Sequence, residues 1–365
     1  MQRRKIEEGG VEGLCGLPAC PQRVAESLLR PGTDEERDAD GRQRGPAVAA
    51  TAGWGMSAPV RDRPAPKLAF GSWAFSFGPF ADAPWSFDRL CRYAADAGYD
   101  GVEINGFRPH PHHADFDSDA TCADLRALLA DVGLEAAGYA PDFTTVPPSE
   151  VPAERYLAEI DAARRFCERM EIGILRVDTV SPPDALADDE YARRFARLVQ
   201  TWGAAAQRCR QSGITLVWEF EPGFWLNRPS EVLRMAEEVA DPGFKLLFDT
   251  SHAYMGAVAG ARQGPDPETL EGGVAAYAHL LNPHIGHVHL IDSDGSLHDD
   301  ETSAHIPFGQ GDVDFPAALQ ALRPALDRIE WWGIDFCFCP TTEADARTAV
   351  PFVRNLAAAS LEAAR

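Results

Sequence analysis

Apolar and polar positions form eight short blocks along the chain, and each block is followed by an amphipathic stretch. The apolar blocks are rich in β-branched or aromatic residues and read LAFGSW, YDGVEI, LEAAGY, ILRVDTV, ITLVWEF, FKLLFD, IGHVHLI and WWGIDFCF. The stretches between them, such as SFDRLCRYAADAG and RYLAEIDAARRFCERM, repeat apolar residues at helical spacing. This pattern predicts eight β-strands that alternate with helices.

Glycines close several of the helical stretches. Gly98, Gly133 and Gly213 each stand shortly before an apolar block, where a left-handed residue commonly ends a helix. The alternation predicts a (β/α)8 TIM barrel over residues 67–365, with its active site at the carboxyl ends of the strands. A doubly wound open sheet is the alternative for the same pattern.

Residues 1–66 differ in kind from the rest of the chain. They are rich in Gly, Pro, Arg, Asp and Glu and have almost no periodic apolar pattern. This composition is typical of disorder, because it offers too little apolar surface to bury. We therefore predict a disordered N-terminal extension before a single catalytic domain.

Composition limits the kinds of partner that the protein can bind and the compartment in which it is expected. The chain has 365 residues, of which 45% are hydrophobic, and a formal net charge of -22, which argues against nucleic acid and favours a neutral or weakly charged small molecule as the partner. Its eight cysteines lack the dense spacing of a secreted disulfide-rich domain. Since no secretion signal or long apolar run is present, we predict a cytoplasmic protein without a membrane span. The oligomeric state stays open, with a homo-oligomer as one option.

Four of the apolar blocks end in a side chain that can bind a divalent metal ion. These are Glu219, Asp249, His289 and Asp335, at intervals of 30, 40 and 46 residues. One ligand from each of four strand ends would converge at the same rim of the barrel. Carboxylates with one imidazole suit Mn2+, Mg2+, Co2+ or Zn2+ without choosing among them. We predict one divalent metal ion as the cofactor.

The two acidic residues of strands five and six have alternative explanations. Glu219 is either a solvated strand-end charge or, because it ends an apolar strand, a buried carboxylate that needs a cation. Asp249, in the segment FDTSH, is also a good helix N-cap. The sequence alone leaves both explanations open for each residue.

The histidines and cysteines of the last two strands could likewise be either metal ligands or structural residues. His287 and His289 project to one face of an apolar strand, and we assign His289, nearer the rim, as the ligand and His287 as a hydrogen-bonded support. Asp335 is predicted to share a strand face with Cys337 and Cys339. We interpret these cysteines as packing, because Cys-x-Cys alone is a weak zinc signal.

Five further residues are predicted to contact substrate. His252 follows Asp249 by three residues, Glu103 ends YDGVEI, and His110 and His112 lie in the turn RPHPHH. Trp73 stands near a predicted strand end, where an indole can stack on a sugar ring. A proline-rich surface turn is the alternative for the histidines, and core packing is the alternative for the tryptophan.

With these segments in place, the chain resembles the xylose-isomerase-like barrel superfamily, the sugar phosphate isomerase/epimerase group, over about residues 68–357. The resemblance rests on GITLVWE, FDTSH, IGHVHLID and HIPFGQGDVDF. In the last of these, Gly309, Gly311 and Asp312 match a loop often seen after strand seven.

The resemblance implies a metal that grips two oxygens of an α-hydroxy carbonyl unit while carboxylates move a proton through an enediolate. It implies Glu219 and Asp335 as ligands and catalytic acid/base groups. Asp249 and His289 would be ligands, and His252 a contact to substrate or water. The function expected first is a divalent-metal-dependent isomerase or epimerase that acts on a sugar or keto-sugar.

One residue departs from the pattern of the superfamily. Strand eight usually supplies Glu, and this chain has Asp335, whose side chain is one methylene shorter. The departure leaves room for a lyase or dehydratase that acts on a keto-sugar, keto-glycoside or keto-inositol. An endonuclease IV-like nuclease ranks lower, because it needs more histidines and the acidic charge opposes DNA. A non-catalytic sugar-binding protein also remains open.

Met56 stands just before the first apolar block, and we predict it as an alternative start of the functional chain. N-terminal mass spectrometry of the native protein tests this prediction. Peptides from residues before Met56 would contradict it.

Overall fold

Eight strands form a closed parallel barrel in the computed structural model, which describes residues 65–183, 185–299 and 301–362. The barrel strands are β1 (Lys67–Gly71), β2 (Gly101–Asn105), β3 (Glu135–Ala140), β4 (Ile174–Val177), β5 (Thr215–Glu219), β6 (Phe244–Asp249), β7 (Ile285–Leu290) and β10 (Trp331–Ile334). A small antiparallel hairpin is formed by β8 (Leu297–His298) and β9 (Thr302–Ser303).

The order of hydrogen-bonded strands around the barrel is β1-β10-β7-β6-β5-β4-β3-β2. Each apolar block of the sequence contains one barrel strand, so the predicted (β/α)8 fold is confirmed. The predicted disorder over residues 1–66 and the predicted start at Met56 lie outside the described residues, apart from residues 65 and 66, which precede β1.

Helices alternate with the barrel strands. Their bounds are α1 (Phe87–Ala97), α2 (Asp119–Val132), α3 (Ala153–Met170), α4 (Asp188–Gln211), α5 (Pro229–Glu238), α6 (Thr250–Tyr254), α7 (Gly273–Leu281), α8 (Phe315–Leu326) and α9 (Thr342–Glu362). Short 3-10 turns cover Ser72–Phe75, Gly78–Phe80 and Asn282–His284, and a π-helical turn covers Met255–Ala259. Within the described ranges, no helix is both long and apolar enough to cross a bilayer.

Strand register brings the metal-binding residue types together. Asp249 on β6 pairs with His289 on β7, and His289 pairs with Gly333 on β10. Glu219 is the last residue of β5, which neighbours β6. Because the strands are parallel, these ends meet at one rim of the barrel, where active sites of this architecture lie.

The last barrel strand is shorter than the sequence pattern suggests. β10 ends at Ile334, and the carboxylate of Asp335 accepts a hydrogen bond from the backbone N–H of Cys337 at 2.7 Å. Such a side-chain turn diverts the chain from the sheet. The prediction that Asp335, Cys337 and Cys339 share a strand face is therefore wrong, because the strand has already ended.

Candidate metal centre and active site

The structure brings the four predicted ligands into one cluster. Glu219, Asp249, His289 and Asp335 each offer a ligand atom, and these atoms all lie within 4.8 Å of one another. All four side chains are buried. A second group, Asp249, His252 and His305, meets the same distance limit and shares Asp249 with the first.

Asp249 fulfils both of the roles considered for it. One carboxylate oxygen, Oδ1, caps α6 by accepting hydrogen bonds from the backbone N–H groups of Ser251 at 2.7 Å and His252 at 2.9 Å. The other oxygen, Oδ2, is buried and has no hydrogen-bond partner in the part of the chain that the structure describes. Burial raises the pKa of Asp249 to about 7. An unpaired buried carboxylate oxygen is a costly arrangement that a bound cation relieves.

The ring of His289 is held at both of its nitrogens. Nε2 lies 3.1 Å from Oε2 of Glu103, and Nδ1 lies 2.9 Å from Oε1 of Glu219 and 3.6 Å from Oδ2 of Asp335. When Nε2–H donates to Glu103, the lone pair of Nδ1 faces the other ligands. Burial disfavours the charged ring, but Glu103 and Glu219 outweigh it and raise the pKa of His289.

Glu103 joins two histidines and does not face substrate. Its second oxygen, Oε1, accepts from Nε2 of His287 at 2.9 Å, so both imidazoles share one buried carboxylate. Glu103 is 2% exposed, and it is not among the described residues that line the cavity. Its position therefore does not support the predicted substrate contact, whereas His287 lies where a support of His289 was expected.

A glycine provides the space for this arrangement. A Cβ atom at Gly333 would lie 2.4 Å from Cδ2 of His289 and 2.5 Å from Oε1 of Glu103. Both distances are far shorter than a van der Waals contact. Any side chain at position 333 would therefore displace the imidazole or the carboxylate.

Glu219 is paired with Arg176, which the sequence analysis did not select. Nε of Arg176 lies 2.6 Å from Oε2 of Glu219. Burial opposes ionisation of Glu219, but the charge of Arg176 outweighs it and lowers the pKa of the carboxylate to about 2. The signal in the sequence was an arginine inside the apolar strand ILRVDTV.

Asp335 is held by a dense set of donors. Its Oδ1 accepts from Nε1–H of Trp73 and from the backbone N–H of Cys337, both at 2.7 Å, and lies 3.2 Å from Nδ1 of His305. Burial alone would favour the neutral acid, but His305 and His289 keep its pKa well below the usual range. Conversely, burial disfavours the charged form of His305, yet Asp335 raises its pKa to about 9.

His305 was missed by the sequence analysis, although it begins the segment HIPFGQG. The carboxylate of Asp292 clamps that segment by accepting backbone N–H groups of Gly309 at 2.9 Å, Gly311 at 3.0 Å and Val313 at 3.1 Å. The backbone N–H groups of Gly309 and Gly311 therefore help to fix the shape of this loop. The clamped loop brings His305 to the cluster of candidate ligands.

A cavity of about 230 Å³ opens above the cluster. Among its lining residues are Trp73, Glu219, His252 and Asp335, four of the predicted site residues. Nδ1 of His252 lies 2.7 Å from the hydroxyl of Ser303, and burial lowers the pKa of this histidine to about 3, so it is a neutral ring at the cavity wall.

Glu221, two residues beyond the end of β5, also lines the cavity. Its carboxylate accepts a hydrogen bond from the hydroxyl of Thr302 in the β9 strand. Burial raises the pKa of Glu221 to about 7. The loop after β7 therefore closes over the acidic side of the cavity.

His110 and His112 lie away from the cavity lining that the structure describes. His110 is buried, and its ring lies 3.0 Å from the carbonyl of Trp85 and 3.2 Å from the hydroxyl of Ser72. Nδ1 of His112 accepts the backbone N–H of Ala114 at 3.0 Å. These contacts stabilise the loop after β2, so their positions do not support the predicted substrate contacts.

The donor set fits a divalent cation. Four buried carboxylates, those of Glu103, Glu219, Asp249 and Asp335, lie around the imidazole of His289, and Arg176 is paired with Glu219. Among the described residues no donor meets Oδ2 of Asp249, and a cation held by this cluster would satisfy that oxygen. Mixed oxygen and nitrogen donors suit Mg2+, Mn2+, Co2+ or Zn2+.

Comparison with known proteins agrees with this geometry. The family model of the xylose isomerase-like TIM barrel matches residues 91–355. The chain belongs to this family. It is 22% identical over 255 residues to fructoselysine 3-epimerase of Escherichia coli O157:H7, which covers 66% of this chain and 81% of that protein. It is 22% identical over 277 residues to inosose dehydratase of Lacticaseibacillus casei, and the match covers 70% of this chain and 82% of that protein.

A solved structure shows the same fold. D-psicose 3-epimerase in the presence of D-fructose superposes with a TM-score of 0.60 at 20% sequence identity, over 80% of this chain and 99% of that one. The family thus includes epimerases and dehydratases among the relatives of this chain. The match confirms the resemblance that the four strand-end segments indicated.

Removal of a predicted ligand tests the metal centre. We expect Asp249→Ala and His289→Ala to lose bound divalent metal, because each removes a buried donor of the cluster, while the fold is retained. Elemental analysis measures the metal, and circular dichroism checks the fold. Full metal content in both folded variants would contradict the assignment.

Substitution of Gly333 tests the support of His289. We expect Gly333→Ala to destabilise the protein by about 1–3 kcal/mol, because it overpacks the His289–Glu103 contact, and to weaken metal binding. The control is Gly173→Ala, where a Cβ atom meets nothing within 4 Å, and it should stay within about 0.5 kcal/mol of the parent. Denaturant unfolding measures both, and equal stability of the two variants would refute the steric argument.

Proposed function

We propose that the protein is a divalent-metal-dependent isomerase or epimerase that moves a proton on the carbon next to the carbonyl of a keto-sugar. The observation that carries this proposal is the pair of buried carboxylates, Glu219 and Asp335. Glu219 ends β5 and Asp335 follows β10; both border the same cavity and approach Nδ1 of His289. Two acid/base groups beside one ligand cluster suit proton removal and return.

Glu219, Asp249, His289 and Asp335 would hold the ion in this proposal. A bound divalent ion would supply Lewis-acid stabilisation of the negative charge that develops on the substrate oxygens. Glu219 would accept the proton, since Arg176 keeps its carboxylate ionised. His252, a neutral ring at the wall, would orient a substrate hydroxyl or water. Trp73 would border the sugar and hold Asp335 through its indole N–H.

A second candidate is elimination from the same class of substrate. It is favoured by His305, whose ring is buried at the cavity and whose Nε2 meets no hydrogen-bond partner among the described residues. Elimination needs a base and an acid that protonates the leaving group. Glu219 and His305 would fill these roles, while Asp335, held by Trp73 and Cys337, would serve only as a ligand.

Each of the two candidate reactions agrees with the name of a different relative. Fructoselysine 3-epimerase supports the first and inosose dehydratase supports the second. A nuclease suits this cavity less well, because carboxylates dominate the charged part of its described lining.

Substitution of Glu219 tests the proton transfer. We expect Glu219→Gln to lower turnover by about 10²–10⁴-fold, as loss of a general base does, while substrate still binds. Glu301→Gln is the control, since Glu301 is an exposed residue at the same cavity and should keep its activity. Deuterium wash-in from D2O into a panel of keto-sugars, followed by NMR, provides the measurement. Unchanged exchange in Glu219→Gln would assign the base elsewhere.

The products in the same assay separate the candidates. Deuterium at a sugar carbon together with a new isomer supports the isomerase or epimerase. Loss of water or of an aglycone supports the lyase, and we then expect His305→Gln to be impaired. Saturable binding with neither reaction would contradict both and leave a sugar-binding protein.

A further inference from the structure

The mouth of the cavity is lined by four phenyl rings. We call this set, Phe77, Phe107, Phe224 and Phe338, the phenyl rim. The four residues follow β1, β2, β5 and β10, so they come from different parts of the barrel rim. Each is half-buried. The cavity is thus polar at its floor, where the ligand cluster lies, and aromatic at its mouth.

Three members of the rim form a continuous aromatic surface. The ring of Phe77 meets that of Phe107 edge-on, with centroids 5.2 Å apart, and lies 6.2 Å from that of Phe338 at an interplanar angle of 26°. Phe338 also stacks on His298 of the β8 strand, with centroids 4.3 Å apart. Such separations are typical of favourable aromatic pairs. The rings are therefore held in place by each other.

The backbone at Phe338 is strained so that its ring reaches this position. Its φ angle is 63°, in the left-handed region that bulky residues rarely adopt. The chain at Gly78 passes so close that a Cβ atom there would lie 3.0 Å from Cα of Phe338. Retained strain of this kind clusters at ligand-binding positions. Core packing does not explain it, because Phe338 lines the cavity.

Charge at the cavity excludes an anionic substituent. The side chains of the described lining that can carry positive charge are Arg176, His252 and His305. Each already has a partner: Glu219 and Asp178 for Arg176, the hydroxyl of Ser303 for His252 and Asp335 for His305. The exposed Glu301 adds negative charge near the mouth. A phosphate or carboxylate on the substrate would meet repulsion there. The group that occupies the rim is therefore not anionic.

The polar floor and the apolar mouth together define an amphipathic ligand. A free sugar can stack a C–H face of its ring on one phenyl ring, but its hydroxyl groups find no hydrogen-bond partner in phenyl side chains. A flat uncharged ring attached to the sugar would fill the rim and bury apolar surface against it. The phenyl rim and the ligand cluster border the same cavity, so one molecule can contact both.

We infer that the substrate is a keto-sugar glycoside with an aryl group and no anionic substituent, whose ring binds within the phenyl rim while its sugar reaches the ligand cluster. This inference rests on the proposed function for the sugar end. It adds the substrate class: aryl glycosides rather than free or phosphorylated sugars.

A matched pair of ligands tests the inference. Isothermal titration of the full-length, metal-containing protein with phenyl and methyl 3-keto-β-D-glucopyranoside should show that the phenyl compound binds about tenfold or more tightly, which corresponds to about 1.4 kcal/mol. Phe338→Ala and Phe107→Ala should bring the ratio of the two dissociation constants towards one, with binding of the methyl compound unchanged.

Phe352→Ala is the matched control, because Phe352 is also half-buried but lies on α9 against Phe308. It should retain the preference for the phenyl compound. A wild-type protein without this preference, including one that binds neither compound, would overturn the inference. A preference that survives in both rim variants would do the same.

Deuterium exchange into the methyl compound, measured on the same preparations, reports the proposed function separately. Exchange without aryl preference refutes the inference and leaves the proposed function standing. Aryl preference without exchange or elimination supports the rim as an aryl site and refutes the proposed function.

Discussion

The contact of His289 with Glu103 is the interaction on which the site depends. This contact orients the imidazole so that Nδ1 faces Glu219 and Asp335. It requires a buried carboxylate on β2, a glycine on β10 and parallel register between β6, β7 and β10. A fault in any of these elements would turn the imidazole away from the other ligands. The barrel therefore serves as the frame for a single ring orientation.

The sequence predicted the barrel and the ligand cluster because both follow from local periodicity. An apolar run that ends in Glu219 or Asp249 marks a strand end, and parallel strands place such ends at one rim. Arg176 and His305 could not be found in this way. Arg176 is a charged residue inside an apolar strand, and its partner Glu219 is far away in sequence. His305 reaches the site only because Asp292 clamps a long loop.

Other differences arise where side-chain geometry overrides pattern. WWGIDFCF reads as one long strand, but the carboxylate of Asp335 captures the N–H of Cys337 and ends it early. His110 and Glu103 look like substrate contacts in the sequence, whereas both form hydrogen bonds within the protein. All four residues of the phenyl rim lie in loops after barrel strands, and no periodicity of the sequence specifies the course of these loops. The chemistry of the floor was thus more predictable than the shape of the mouth.

The most direct test of the central claim is pulsed electron paramagnetic resonance of the protein loaded with one equivalent of Mn2+. If His289 is held by Glu103 so that Nδ1 faces three carboxylates, the spectrum should show hyperfine coupling to a directly bound imidazole nitrogen. Selective ¹⁵N labelling of histidine should change this coupling. A bound Mn2+ ion without any histidine nitrogen coupling would contradict the claim that His289 is part of the metal centre.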